Sequence, residues 1–195
     1  MEFASARQSS TRTTVDGGKK KVRKAECAIN GDENDFSATT SQRKNPHWIG
    51  TLKENTFITS IQVNGREKQY IEGFWITIKD EHDNSQYRSA RHNKLNETMN
   101  EVKLEEKYAS EWVEIGGVKG VIGRTVRIEI QGQSALSLGI REIKVFGVLA
   151  SEMFAQANAT IQNFNYTILN DEEKETENSS DEFDSSEDDS SKFSN

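Results

Sequence analysis

Gly123-Arg124-Thr125-Val126-Arg127-Ile128-Glu129-Ile130 and Leu136-Ser137-Leu138-Gly139-Ile140-Arg141-Glu142-Ile143-Lys144-Val145-Phe146-Gly147 decide the fold. In the first stretch Val126, Ile128 and Ile130 fall on alternate positions. In the second, Leu136, Leu138 and Ile140 alternate, and then Ile143 and Val145. A strand sends successive side chains to opposite faces, so each set marks one face of one strand. The second pattern loses phase by one residue around Arg141-Glu142. A bulge or sharp bend accounts for such a slip and re-aims one side chain. The side chain re-aimed here is an acid, at the edge of what reads as an all-β body.

Working outward, the same texture covers residues 25 to 150. Phe57, Ile61 and Val63 are interleaved with Ile58, Ser60 and Gln62. Phe74, Ile76 and Ile78 are interleaved with Trp75 and Thr77, and Glu111-Trp112-Val113-Glu114-Ile115 ends at Gly116-Gly117. Short β-rich runs separated by Asn, Gly, Asp and Ser predict a sandwich or barrel. Trp48, Trp75 and Trp112 read as core or sheet-face packing rather than stacking platforms. His92 to Lys107 is the main helical candidate, with a long polar loop as its alternative. Residues 151–170 read as an extra strand or short helix. Residues 171–195 are Asp, Glu, Ser, Asn, Lys and one Thr with two phenylalanines, too polar to offset ordering entropy, and are expected to be a disordered acidic tail.

The chain has 195 residues and a net charge of -7, and its hydrophobic share of 33% with a mean hydropathy of -0.81 fits a body with an unpacked segment. An acidic balance gives nucleic-acid binding no support. Lys19-Lys20-Lys21-Val22-Arg23-Lys24 is a local exception and reads as a solvated loop. Cys27 is the one cysteine, so an intrachain disulfide is excluded. No apolar run reaches the ~20 residues of a membrane span, and the first residues lack the apolar stretch of a signal peptide. Sequons at Asn96, Asn158, Asn165 and Asn178 tilt the expected location towards the extracellular side. No nucleophile elbow, HExxH, CxxC, P-loop or GxGxxG occurs, so a non-catalytic protein is expected.

Several segments, taken in order, resemble a known family: Ala6-Arg7-Gln8-Ser9-Ser10, Ala28-Ile29-Asn30-Gly31-Asp32, Asn45-Pro46-His47-Trp48-Ile49-Gly50-Thr51-Leu52, Ile58 to Val63, Glu72-Gly73-Phe74-Trp75-Ile76, and the Gly123–Ile128 and Glu142–Gly147 stretches. Over about residues 4–148 the chain is similar to the galactose-binding-like β-sandwich family. That family includes coagulation-factor type C (discoidin) domains, carbohydrate-binding modules and F-type lectins. The resemblance implies an eight-stranded jelly-roll β-sandwich over residues 1–150 that binds ligands in loops at one end. His47 and Thr51 depart from the family pattern, in which a tryptophan and an acid stand there.

The resemblance also implies a structural calcium ion. Asp32, Asn34, Asp35, Ser37, Thr39 and Thr40 form an oxygen-rich loop, and calcium takes six to eight oxygens. An EF-hand does not fit, because its glycine position would be Asp35 and its final acid Ser41. By position in the family, Asp35 supplies a carboxylate, Asp32 and Ser37 carbonyls, and Thr39 or Thr40 a hydroxyl. Glu142 closes the shell together with the Arg141 carbonyl. The alternative is a metal-free turn whose Asp and Asn side chains cap their own backbone.

For a ligand, F-type lectins that hold fucose place a histidine and two arginines around the sugar. Here the second arginine position is Tyr70, and no histidine stands at Thr39-Thr40-Ser41, so fucose specificity is not expected. Sugars are held by aromatic faces and fork-like donors. Arg66, Lys68 and Tyr70 in one loop, with His82, Tyr87, Arg88 and Arg91 in or near the next, are the candidates. The function expected is therefore a calcium-stabilised lectin-like module whose partner is a glycan or glycoprotein. The alternative is an adhesion or scaffolding domain that binds a protein partner, with the acidic tail as a regulatory segment, or an anionic phospholipid.

Overall fold

A computed structural model describes residues 1–40, 44–66, 71, 73–93, 100–131, 137–160 and 162. The chain divides into two units, Met1–Phe154 and Ala155–Asn195. In the first, eleven strands follow one another among the described residues: β1 (Phe3–Gln8), β2 (Arg12–Asp16), β3 (Lys19–Arg23), β4 (Ser37–Ala38), β5 (His47–Gly65), β6 (Phe74–Lys79), β7 (Ser85–Arg88), β8 (Asn100–Lys103), β9 (Val113–Ile115), β10 (Val118–Ile130) and β11 (Gly139–Leu149). Single 3₁₀ turns occupy Ala25–Ala28 and Glu106–Tyr108. Residues 150–160 are α-helical.

β5 organises the molecule. Its first half, from His47 to Leu52, lies between β1 and the last turn of pairing in β10, with Val126 opposite Gly50 and Ile128 opposite Trp48. Its second half, from Thr56 to Gly65, pairs with β11 on one side and with β8 and the start of β10 on the other. β10 continues into β6, and β6 into β7, all antiparallel. The two halves of β5 thus belong to two layers. The inward side chains of both layers meet in one core that contains Ile61, Val63, Ile76, Ile78, Val126, Ile128, Ile143 and Val145. This is the expected antiparallel β-sandwich. Each such side chain contributes about 1.5–3 kcal/mol by leaving water.

The alternation read in β10 and β11 is the alternation seen. Val126 and Ile128 are fully buried, and Leu138, Ile140, Ile143 and Val145 are at most 2% exposed. The loss of phase is a break in register between Ile140 and Glu142 against β5. Gly120 lets β10 cross close to β5, since a Cβ there would stand 2.3 Å from the Ile58 carbonyl oxygen.

Two expectations need correction. The helical candidate His92–Lys107 holds no α-helix among its described residues. Asn100–Lys103 is β8, with Val102 paired to Ile61 and buried, because a period-two pattern at a free sheet edge outweighs weak helical spacing. The basic run Lys19–Lys24 is not a loop. Its first five residues are the whole of β3, closed onto β2 through Gly17-Gly18, both at positive φ. Residues 171–195, expected to be disordered, lie outside the described residues.

Candidate functional site

The rim is built by residues 29–40, which run from the first 3₁₀ turn into β4, and by the start of β11. β4 is tied to β11 through side chains. The Thr39 hydroxyl oxygen accepts the Leu138 N–H at 2.8 Å, and the Ser137 hydroxyl donates to the Thr39 carbonyl at 2.6 Å. The Ser37 hydroxyl donates to the Ile140 carbonyl at 3.3 Å. Thr40 is anchored on the Ser10 hydroxyl through both its N–H and its side chain. Upstream, Asn30 and Asp32 cap the N–H groups of Asp32 and Asn34, each at 2.9 Å, and the Asp32 carbonyl accepts the Asp35 N–H.

The closing strand reaches this loop at the register break. Arg141 donates from Nη1 to the Glu33 carbonyl at 2.9 Å. Glu142, 5% exposed, points away from the core face of Ile143, and its carboxylate accepts the Gly31 N–H. Its Oε2 is buried with no hydrogen-bond partner among the described residues. Burial raises the Glu142 carboxyl above its ordinary range, and the negative charge of Glu33 adds to this. Lys144 and the Gly31 N–H pull the other way.

Asp35 is held differently. Its Oδ1 lies 2.7 Å from Arg23 Nη1 and 3.1 Å from Lys21 Nζ, and also accepts the Phe36 N–H. Burial pushes its carboxyl up, but the Phe36 N–H, Lys21, Cys27 and Arg23 together hold it below the ordinary range. Arg23 is 3% exposed, donates from Nε to the Thr14 hydroxyl at 2.8 Å, and lies 3.9 Å over the Phe36 ring.

The expected metal ligands share one rim. The Thr39 hydroxyl and carbonyl, the Thr40 hydroxyl and the Asp32 carbonyl each have a hydrogen bond within the protein, and Asp35 faces two cations. A divalent ion within about 4 Å of the Arg23 guanidinium would meet repulsion on the order of 8 kcal/mol at an effective dielectric of about 20. Among the described residues no group of three or more His, Cys, Asp or Glu side chains is arranged to hold a metal.

The expected ligand residues separate. Arg66 follows β5, donates its N–H to the Gly139 carbonyl, and places its guanidinium 4.3 Å over Phe36. Arg91, just beyond β7, is exposed, lies 5.3 Å over the Trp75 ring, and packs against Gly73. Gly73 has φ +76, and a Cβ there would meet that guanidinium within 2.6 Å. Both arginines flank the β5–β6 connection. Lys68 and Tyr70 lie outside the described residues.

His82 is exposed in the β6–β7 turn, the length of β6 away from Arg91. Arg88 stands on the sheet face, 4.0 Å from Glu129. Tyr87, expected in a loop, is 1% exposed in the core and packs edge-on to Tyr108, because β7 turns its apolar face inward. Sequence reasoning missed Arg23 and Phe36. The available signal was the Gly-Gly hairpin, which puts Lys21 and Arg23 on one face.

Clefts lie elsewhere among the described residues. One of about 570 Å³ runs along β11 from Glu142 to Gly147, and one of about 220 Å³ sits beside Asp80, Glu81 and His82.

No family model and no curated protein matches this chain. Solved structures do. A fucose-binding module of Streptococcus pneumoniae is 20% identical, covering 73% of this chain and 92% of that one at a TM-score of 0.56. An F-type lectin from striped bass (Morone saxatilis) serum is 22% identical, covering 73% and 46%, at a TM-score of 0.55. The family 32 carbohydrate-binding module of C. perfringens NanJ, in complex with galactose, is 17% identical, covering 72% and 91%, at a TM-score of 0.53. The fold is accordingly the galactose-binding-like β-sandwich.

Proposed function

We propose that this chain is a non-catalytic, lectin-like carbohydrate-binding module whose glycan rests on the rim around Arg66 and Arg91. The observation that carries this reading is that both guanidiniums flank one inter-strand connection and each stacks on an aromatic ring, Phe36 or Trp75. Stacking on an aromatic ring orients a guanidinium, and the planar fork of the exposed Arg91 matches adjacent hydroxyl acceptors. Lys68 and Tyr70 belong to the same connection and are included in the proposal. The solved structures with this fold that bind fucose or galactose support a sugar as the ligand class. The chain lacks the fucose histidine and second arginine, so a sugar held by this arginine pair is favoured over fucose. Glycan-array binding of the folded chain tests the reading. Saturable binding to a subset of glycans supports it, and a flat response contradicts it.

Calcium has one feature in its favour, the orphaned Glu142 Oε2, and one against it, the pairing of Asp35 with Arg23 and Lys21.

A second reading, attachment to an anionic lipid surface, is favoured by the β2–β3 hairpin. Val15 and Val22 are 70% and 48% exposed there, beside Lys19 and Lys20. Sedimentation with phosphatidylserine vesicles tests it. A protein partner for residues 171–195 is tested by pull-down with and without that segment, with loss on removal as the supporting result.

A further inference from the structure

We infer that a protein cation, the Arg23 guanidinium, makes the ionic closure of the rim at the place where the family resemblance implies calcium. The inference concerns how the rim is held and does not depend on what the rim binds. A guanidinium that is 3% exposed is tolerated only where its donors and its charge are matched. Arg23 meets that condition. Nη1 takes the Asp35 carboxylate at 2.7 Å, Nε takes the Thr14 hydroxyl at 2.8 Å, and its face covers Phe36 at 3.9 Å.

The element that delivers it is the β2–β3 hairpin. Pairing of Arg12 with Arg23 and of Thr14 with Lys21 sets the register, and strand alternation then turns Lys21 and Arg23 to the same side, towards Asp35. Calcium needs carboxylate oxygens free to coordinate. Oδ1 of Asp35 instead receives Arg23, Lys21 and the Phe36 N–H. The Glu142 carboxylate, with Oε2 unpartnered, is what remains of the acidic set.

The substitution also has a mechanical consequence. Phe36 carries the Arg23 guanidinium at 3.9 Å and the Arg66 guanidinium at 4.3 Å. The buried arginine therefore fixes the ring on which the rim arginine rests. The rim is ordered without a metal.

Thermal melting of the full chain tests this, in EDTA and in millimolar calcium. The expected result is the same Tm in both, with Arg23→Met lowering it by on the order of 10 °C, as for a broken buried pair. Arg23→Lys, which keeps the charge and loses the fork, falls between the two. Glu142→Gln raises Tm or leaves it unchanged in both buffers. A Tm that rises with calcium and loses that rise in Glu142→Gln overturns the inference, as does an Arg23→Met chain that melts like the parent. Should Arg23→Met not fold, the chelator comparison on the parent and on Glu142→Gln still decides. None of these readouts involves glycan, so a flat glycan array leaves them untouched.

Discussion

Glu142 and Asp35 show how two carboxylates on one rim come to opposite states. Asp35 has cations and N–H groups around one oxygen, whereas Glu142 has one backbone N–H and an orphaned oxygen. Glu142 therefore titrates above its ordinary range in the folded protein, chiefly through burial, with Glu33 adding to the shift and Lys144 opposing it. The folded state then binds a proton more readily than the unfolded chain. The stability that comes with this is fully present below the ordinary carboxylate range and is lost as pH rises through the raised value. Glu142→Gln is expected to melt higher than the parent near pH 7, with the gap closing as pH falls towards 4. Melting curves across that range check it, and a gap that widens on acidification contradicts it. The acid at the phase slip was legible because a strand pattern cannot lose a residue silently. The cation beside Asp35 was not, because Arg23 sits in a basic run whose composition reads as solvent-exposed and its burial depends on a partner twelve residues away.

At the scale of elements, β5 and β10 depend on a close crossing. Gly120 sits where β10 meets β5, and a Cβ there would stand 2.3 Å from backbone oxygen, which cannot swing aside as a side chain can. Gly120→Ala is expected to cost about 1–3 kcal/mol, as overpacking does, and denaturant unfolding measures it. Truncation within the core of β10, Ile128→Ala, is expected to cost about 2–5 kcal/mol, against under 1 kcal/mol for Thr77→Ala on the outer face. Strands with buried alternate positions, β6, β10 and β11, were readable for that reason. β8 was not, since Val102 is its one apolar residue and Asn100, Glu101 and Lys103 fill the rest. The β2–β3 hairpin has little apolar contrast, and its Gly17-Gly18 turn was the one signal it offered. The nineteen-residue span of β5 is masked in sequence by Glu54-Asn55, where it passes between layers.

For the molecule as a whole, the sandwich brings Arg66 and Arg91 to one connection, and the aromatic rings beneath them come from different parts of the chain, Phe36 before β4 and Trp75 in β6. Distances in sequence of 30 and 16 residues hide both pairings. The arginines could be named from the chain alone, but the rings that orient them could not. His82, Tyr87 and Arg88 are near them in sequence but not in space, because the β6–β7 hairpin sends these three to its far end, the core and the sheet face. The measurement that bears most directly on the rim as a glycan site is titration of a glycan-array hit against the parent and Arg91→Ala. The expected result is saturable binding by the parent, weakened about tenfold or more in Arg91→Ala for the loss of charge-assisted hydrogen bonds, at an unchanged Tm. Equal binding by both, or none by the parent, contradicts it.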